Sequence, residues 1–329
     1  MDKAGTAAVD GAPDIAVIVA AWNAAATIER AVKSALTQED VALEVIVVDD
    51  ASADDTAARA EALAKTDPRV RVLRQPVNGG PAEARNRAIA ESTAPWLTVL
   101  DADDFMDPGR LAELLRIARE EDADFVADDL LKVDEADPGG PRRRRWSDAQ
   151  VGRMQVDAAS FITGNLSARH GGRREMGFLK PLMSRSFLNR HGLSDDPAIR
   201  LGEDYVLYAR ALIAGARFVL TDPAGYVAVV RPASLSGRQP TESHKTLIDA
   251  DLAMLEQPGL DEATRSALQA HLMEQRKKWA WRRLIDAKAA GDAKAAAACF
   301  MAPPAVIADL ARRLGGEAVT RTRRRIGLQ

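Results

Sequence analysis

Apolar runs and helical spacing alternate along the first 135 residues. Segments 14–23 (DIAVIVAAWN) and 43–52 (LEVIVVDDAS) are read as nearly continuous apolar strands, and 69–76 (RVRVLRQP) alternates apolar with basic positions. Two more strand-like runs follow at 95–104 (PWLTVLDADD) and 123–133 (ADFVADDLLKV), the last expected to form one strand. Between them, apolar positions recur three and four apart: Ile28, Ala31, Val32, Ala35 and Leu36 in 27–38, then similar spacing in 52–65, 80–92 and 108–122. Ser52 or Asp54 is expected to cap the second helix, while Pro81 and Pro108 stand near helix starts, where proline fits. Continuous strands alternating with amphipathic helices predict an α/β fold, a mostly parallel sheet flanked by helices on both faces.

The segment 137–148 (DPGGPRRRRWSD) interrupts this pattern as a surface loop. Residues 148–240 mix helices with short strands, and from Thr241 to the end of the sequence the pattern is helical. Three regions follow: a loose Ala/Gly-rich leader at 1–13, a domain at 14–240 with halves 14–137 and 148–240, and a helical C-terminal region at 241–329. Nowhere do 18 apolar residues run together, so no membrane-spanning helix is expected.

Composition changes this picture little, but charge does. The single cysteine, Cys299, excludes an internal disulfide framework and suits a reducing, cytoplasmic setting. The net charge of −3 conceals an asymmetry: residues 14–137 carry 27 acids and 13 bases, whereas 276–329 carry 4 acids and 13 bases. The acidic front half argues against a nucleic-acid partner. In the tail, Val306, Ile307, Leu310 and Leu314 fall on one helical face near Arg312 and Arg313, with Arg321, Arg323, Arg324 and Arg325 beyond. Such a segment suits an anionic membrane surface, with Trp279 and Trp281 as further anchors. The plainer reading is a packed helix with its arginines in water.

The candidate chemistry lies in 97–107 (LTVLDADDFMD), where Asp101, Asp103, Asp104 and Asp107 crowd the carboxyl end of a strand. Like charges this close are unfavourable unless a cation or a proton neutralises them. Asp49 and Asp50 end another strand of the same sheet, and such sheets bind ligands beyond their carboxyl edge. Mg²⁺ and Mn²⁺ prefer oxygen donors and take few protein carboxylates when substrate phosphates complete the shell. On that reading Asp103 holds the metal, and Asp101 bonds a ribose hydroxyl or a metal-bound water. The alternative is a solvated turn with Asp104 or Asp107 capping the next helix; the second acidic pair favours function. Dinucleotide-binding and phosphate-cradling glycine motifs, zinc spacings and a nucleophile elbow are all absent from the sequence. A phosphoacceptor receiver domain fits poorly, because a complete strand and helix precede Asp49 and Lys180 lies too far along.

The order VIVAAWN, VIVVDDASADDT, NGGPAEARNRAI, LTVLDADD resembles the family 2 glycosyltransferases, which have the Rossmann-like GT-A fold. Farther on, GFLKPLMSRSFLNRHGL and RLGEDYVLYARALIAGARF look like the succinoglycan-type exopolysaccharide glucosyltransferases of that family. The resemblance implies roles residue by residue. Ala20, Ala21, Trp22 and Asn23 match the segment lining the nucleoside pocket, Asp50 the aspartate on the uracil edge, and Arg85 the arginine near base and diphosphate. Asp101 and Asp103 match the Asp-x-Asp of ribose and metal, and Asp204 the general base, with Glu203 beside it. Ala20 departs from the family's common Thr or Pro. Arg231, Ser234, Ser236 and His244 are expected in a lid or acceptor site, with Lys180 as a further candidate there. The implied activity is inverting, metal-dependent transfer from a UDP-sugar, UDP-glucose first, to a lipid-linked oligosaccharide or glycan acceptor in exopolysaccharide assembly. The cofactor would be Mn²⁺ or Mg²⁺. The rival reading is a non-catalytic nucleotide-binding or scaffolding subunit of a polysaccharide synthase complex, which need keep neither Asp103 nor Asp204.

Overall fold

The computed structural model describes residues 11–167, 176–231 and 241–325, the last nine by backbone alone. The chain divides into two compact units, residues 1–234 and 235–329.

The first unit opens with the expected alternation: β1 (Ile15–Ala21), α1 (Ile28–Leu36), β2 (Leu43–Asp49), α2 (Thr56–Thr66), β3 (Val70–Arg74), α3 (Pro81–Glu91) and β4 (Trp96–Val99). β1 is buried along almost its whole length and lies parallel to both β2 and β4. Ile18 pairs with Val99, and Ala21 with Asp49, so three carboxyl ends open on one edge. Pro81 occupies the first turn of α3, whereas α2 starts at Thr56, later than expected, with Asp54 Oδ1 accepting from the Thr56 N–H.

Past β4 come β5 (Phe105–Met106), α4 (Arg110–Glu120), β6 (Phe125–Asp128), β7 (Leu131–Asp134), β8 (Arg143–Arg144), β9 (Arg153–Val156) and α5 (Ala158–Gly164). Then follow β10 (Leu182–Ser184), α6 (Arg185–His191), α7 (Glu203–Ile213), β11 (Phe218–Thr221) and β12 (Tyr226–Val230). The large sheet has the order β3-β2-β1-β4-β10-β6-β11-β9, and a second sheet runs β5-β12-β7-β8. β10 is antiparallel to both of its neighbours, β4 and β6, a reversal inside an otherwise mainly parallel array.

The single strand expected over 123–133 is two strands in different sheets. The cause is a pair of buried carboxylates. Asp128 is captured by Arg110 and by the N–H groups of Ala224, Gly225 and Tyr226. Asp129 accepts from the N–H groups of Trp146 and Ser147. Neither could enter the apolar core without those partners.

The second unit contains α8 (Thr241–Leu255), α9 (Glu262–Ala289), α10 (Ala293–Ala298) and α11 (Pro304–Arg325). Its α8–α9 contact holds a buried polar chain: His271 Nδ1 lies 2.7 Å from Asp251, Gln275 Nε2 lies 3.1 Å from His271 Nε2, and Gln275 Oε1 lies 2.9 Å from His244 Nδ1. Val306 and Leu310 are buried with Ala280 and Cys299, and Trp281 and Leu284 pack against them. Of the two readings of this stripe, lipid-facing and packed, the burial of Val306 and Leu310 follows the packed one, with α9 as the partner. The helical period that aligns Val306 with Leu310 delivers both onto α9, leaving Ile307 half-buried and Leu314 40% exposed. No helix among the described residues is long and apolar enough to cross a membrane.

Candidate active site

The crevice lies beyond β1, β2 and β4. Asn23 and Ala51 both adopt left-handed backbone angles at the ends of β1 and β2, and the two turns are tied together. Asn23 N–H donates to Ser52 Oγ at 2.9 Å, Ala24 N–H to Thr56 Oγ1 at 2.7 Å, and Ala53 N–H to Asn23 Oδ1 at 2.9 Å. Ala20 presents no hydroxyl, and Trp22 stands 50% exposed at the rim. Asp50 is buried and accepts from Gln75 Nε2 at 2.7 Å and from the N–H groups of Gly79 and Gly80 at 2.8 Å. Gly80 has φ +90°, a backbone angle that favours glycine. Three donors on four lone-pair positions leave Asp50 fixed in direction with one acceptor position to spare.

The centre of the site is a closed ring of alternating charge. From α3, Arg85 Nη1 reaches Asp204 Oδ1 at 2.6 Å and Glu203 Oε1 at 3.1 Å, while its Nη2 reaches Asp101 Oδ1 at 3.3 Å. Lys180 Nζ closes the ring on Asp204 Oδ2 at 2.7 Å and Asp101 Oδ2 at 3.1 Å. Both cations have side chains 5% exposed, whereas that of Asp101 is 34% exposed and opens to the crevice. Burial disfavours the Lys180 ammonium, yet Asp101 and Asp204 raise its pKa above that of a free lysine. Burial likewise works to raise Asp101, but Lys180 and Arg85 hold it below the ordinary carboxylate range. Glu203 is pushed up, first by burial and then by Asp204. Glu203 and Asp204 form the first turn of α7, after Gly202 in the left-handed region. The exposed N–H groups of that turn favour negative charge.

The rest of the acidic stretch divides by role. Asp104 is buried, accepting from Tyr226 Oη at 3.0 Å and from the Val229 N–H at 2.8 Å, so it ties β4 to the second sheet. Burial, then the neighbouring Asp101 charge, pushes its pKa up to about 7. Asp107 pairs with Arg142. Asp103 is part-exposed and its carboxylate is paired with Arg231, while its carbonyl accepts from Arg30 Nη2 at 2.5 Å. Asp103 therefore presents a hard oxygen donor where one positive group already sits. That donor set fits Mg²⁺ or Mn²⁺ sharing its shell with phosphate oxygens. It does not suit an all-protein cage, since no group of three His, Cys, Asp or Glu converges among the described residues.

Three of the expected residues have partners that the sequence did not reveal. Arg85 was expected at the base and diphosphate, but its Nη atoms are committed to three carboxylates, because burial demands compensation for the guanidinium. Lys180, expected in a lid or acceptor role, is a ring member. His244, expected in a mobile segment, is buried on α8 against Gln275, and burial lowers its pKa. Ser234 and Ser236 lie outside the described residues. Sequence reasoning missed the support beneath the ring: Arg110, fully buried on α4, donates to the Lys180 carbonyl at 2.6 Å, and Tyr208 Oη donates to the Leu179 carbonyl at 3.2 Å. The available signal was an arginine on the apolar face of α4.

Residues 16–180 match the family described as Glycosyl transferase family 2. The chain belongs to that family. It is 45% identical over 275 residues to the succinoglycan biosynthesis protein ExoU of Rhizobium meliloti, covering 84% of this chain and 79% of that protein. It is 39% identical to ExoO of the same organism, over 77% of this chain and 71% of that one. Among solved structures, residues 1–349 of S. aureus TarS in complex with UDP-GlcNAc superpose with TM-score 0.63 at 17% identity, covering 86% of this chain and 89% of that 1–349 chain. A mannosyltransferase from Pyrobaculum calidifontis, solved with GDP-Man and Mn²⁺, gives TM-score 0.56 at 20% identity, covering 92% of this chain and 86% of that one. The fold is thus GT-A, and this family 2 protein is a glycosyltransferase.

Proposed function

We propose that this glycosyltransferase moves a sugar, glucose first among the candidates, from a UDP-sugar to a lipid-linked oligosaccharide in exopolysaccharide assembly, with inversion at the anomeric carbon. The observation that carries the reading is the ring joining Asp101 at the β4 end to Asp204 at the α7 N-terminus through Arg85 and Lys180. A part-exposed carboxylate at the crevice mouth with a second carboxylate joined to it supports a division of roles, donor binding for Asp101 and removal of the acceptor proton for Asp204. The succinoglycan names of ExoU and ExoO support the polysaccharide setting, and the UDP-GlcNAc complex of TarS supports a uridine donor.

In this reading Trp22 and the oriented Asp50 receive the base, and Asp101 bonds the ribose. Asp103 would hold Mn²⁺ or Mg²⁺, which supplies compensation for charge on the leaving diphosphate; Arg231 must then leave Asp103 and is free to face the diphosphate. As the acceptor oxygen bonds the anomeric carbon, the bond to the diphosphate breaks with its electron pair, and the acceptor proton passes to Asp204. A base and a leaving group on opposite faces give inversion. The N-terminal half, 14–137, handles the donor and 148–240 the acceptor. Acting at the cytoplasmic membrane face through the basic segment 321–325 would bring the enzyme to a lipid-linked acceptor.

Melting temperatures measured across a panel of nucleotide sugars with Mn²⁺ test the donor, because a ligand of the native state raises Tm. UDP-sugars are expected to give the largest rise. A larger rise with GDP-mannose would overturn the uridine reading.

A further inference from the structure

Asp195, between α6 and α7, is 3% exposed. Its backbone is clamped to α3: its N–H donates to Asn86 Oδ1 at 3.1 Å, and its carbonyl accepts from Asn86 Nδ2 at 2.7 Å. Asn86 directly follows Arg85, so the clamp fixes this residue beside the ion ring without using its carboxyl. Carboxyl oxygen Oδ1 is buried with no hydrogen-bond partner, and so is Nε of Arg85. Buried polar atoms are rarely left so, and each instance calls for an explanation. The charged groups that act on Asp195 are Arg85 of α3, Asp204 and Glu203 of α7, and Lys180 before β10. Each of those four is in the ring or joined to it by an ion pair, whereas Asp195 has no ion pair among the described residues.

We propose that Asp195 is a positioning residue of the transfer reaction: the charge on its carboxyl sets how firmly Arg85 holds Asp204, and so how readily Asp204 takes the acceptor's proton. This rests on the reading of Asp204 as base. While Asp195 carries a proton, Arg85 and Lys180 face the charges of Asp101, Glu203 and Asp204 alone. Once ionised, Asp195 draws on Arg85 and repels the Asp204 charge, so Asp204 binds a proton more strongly. During transfer the acceptor proton still goes to Asp204, and Asp195 neither gains nor loses one. The ionisation falls in a useful range, since burial, aided by Asp204 and Glu203 against Arg85 and Lys180, pushes the Asp195 pKa up to about 7.

The test is a carboxyl-¹³C titration of the full chain labelled in aspartate, with the Asp204 signal identified by its loss in Asp204→Asn. In the wild type that signal is expected to inflect near pH 7, the range to which Asp195 is pushed. The inflection should vanish in Asp195→Asn and survive in Asp195→Glu. Its persistence in Asp195→Asn overturns the proposal. If that variant does not fold, Asp104→Asn is the control, because Asp104 is also pushed up to about 7. An Asp204 inflection that vanishes there overturns the proposal, as does a wild-type signal with no inflection near neutrality, and one that survives there supports it. Turnover by Asp204→Asn at the wild-type rate would instead remove the base reading while leaving the titration coupling in place. The two ideas therefore fail separately.

Discussion

Arg110→Met and Asp128→Ala remove opposite ends of one buried ion pair, and the structure ranks their effects. Both side chains are fully buried. Arg110 donates to Asp128 Oδ1 from Nε at 3.0 Å and from Nη2 at 2.8 Å, and Nη2 also reaches the Lys180 carbonyl. Breaking a buried pair by deleting one partner costs about 3–5 kcal/mol. In Arg110→Met, Asp128 keeps the N–H groups of Ala224, Gly225 and Tyr226, which places the loss at the lower end, about 3 kcal/mol. Asp128→Ala strips those N–H groups of their acceptor, at about 1–3 kcal/mol for each left unpaired. It also leaves the guanidinium with one carbonyl, the Met106 Sδ at 3.3 Å from Nη1 and the face of Tyr226, whose centroid is 5.0 Å away. That loss should reach about 5 kcal/mol or more and can abolish folding. Urea unfolding of the first unit, compared at constant slope, reads the difference. In Arg110→Met the Lys180 backbone loses its donor, so turnover should fall as well. Losses below about 1 kcal/mol in both variants, the ordinary effect of an exposed pair, would refute the reasoning. So would Arg110→Met proving the more damaging.

Asp103→Asn removes a formal charge from the proposed cation position and should abolish Mn²⁺-dependent strengthening of UDP binding, read by calorimetry, while metal-free affinity holds. Replacing Arg321, Arg323, Arg324 and Arg325 by Gln should eliminate salt-sensitive binding to anionic vesicles, since each cation contributes about 1 kcal/mol near such a surface; unchanged binding would discard the anchor. Truncation is the poorer test, because Val306 and Leu310 belong to the α9–α11 core. Burial lowers the His244 pKa below 6.5, so the unfolded chain binds the proton more strongly and stability falls as pH drops through about 6.5. Thermal unfolding of the helical unit between pH 8 and 5 should show that decline, and His244→Gln should reduce it.

β1 to β4 and their helices were legible because continuous aliphatic runs and a 3.6-residue period are local signals. Asp101, Asp103, Glu203 and Asp204 were legible as motif positions. The antiparallel strand Leu182–Ser184 was not, since three residues carry no period and their pairing with β4 is set far along the chain. The split at Asp128 and Asp129 depends on which donors reach two buried carboxylates, again a tertiary fact. Arg85 and Lys180 could not be assigned to a common ring, because nothing local says that residues 95 positions apart share Asp204 and Asp101. The apolar stripe of α11 was visible, but lipid and helix α9 select the same spacing. Only packing distinguishes them.

In the proposed reaction Asp204 takes the acceptor proton while the donor is held by other residues. Asp204→Asn, assayed with Mn²⁺ for release of UDP from UDP-glucose and for UDP affinity by calorimetry, tests it most directly. UDP affinity is expected close to wild type, with turnover lower by about a hundredfold or more, the scale of a positioned general base. Turnover within about twofold of wild type would contradict it and pass the role to Glu203 or another acid.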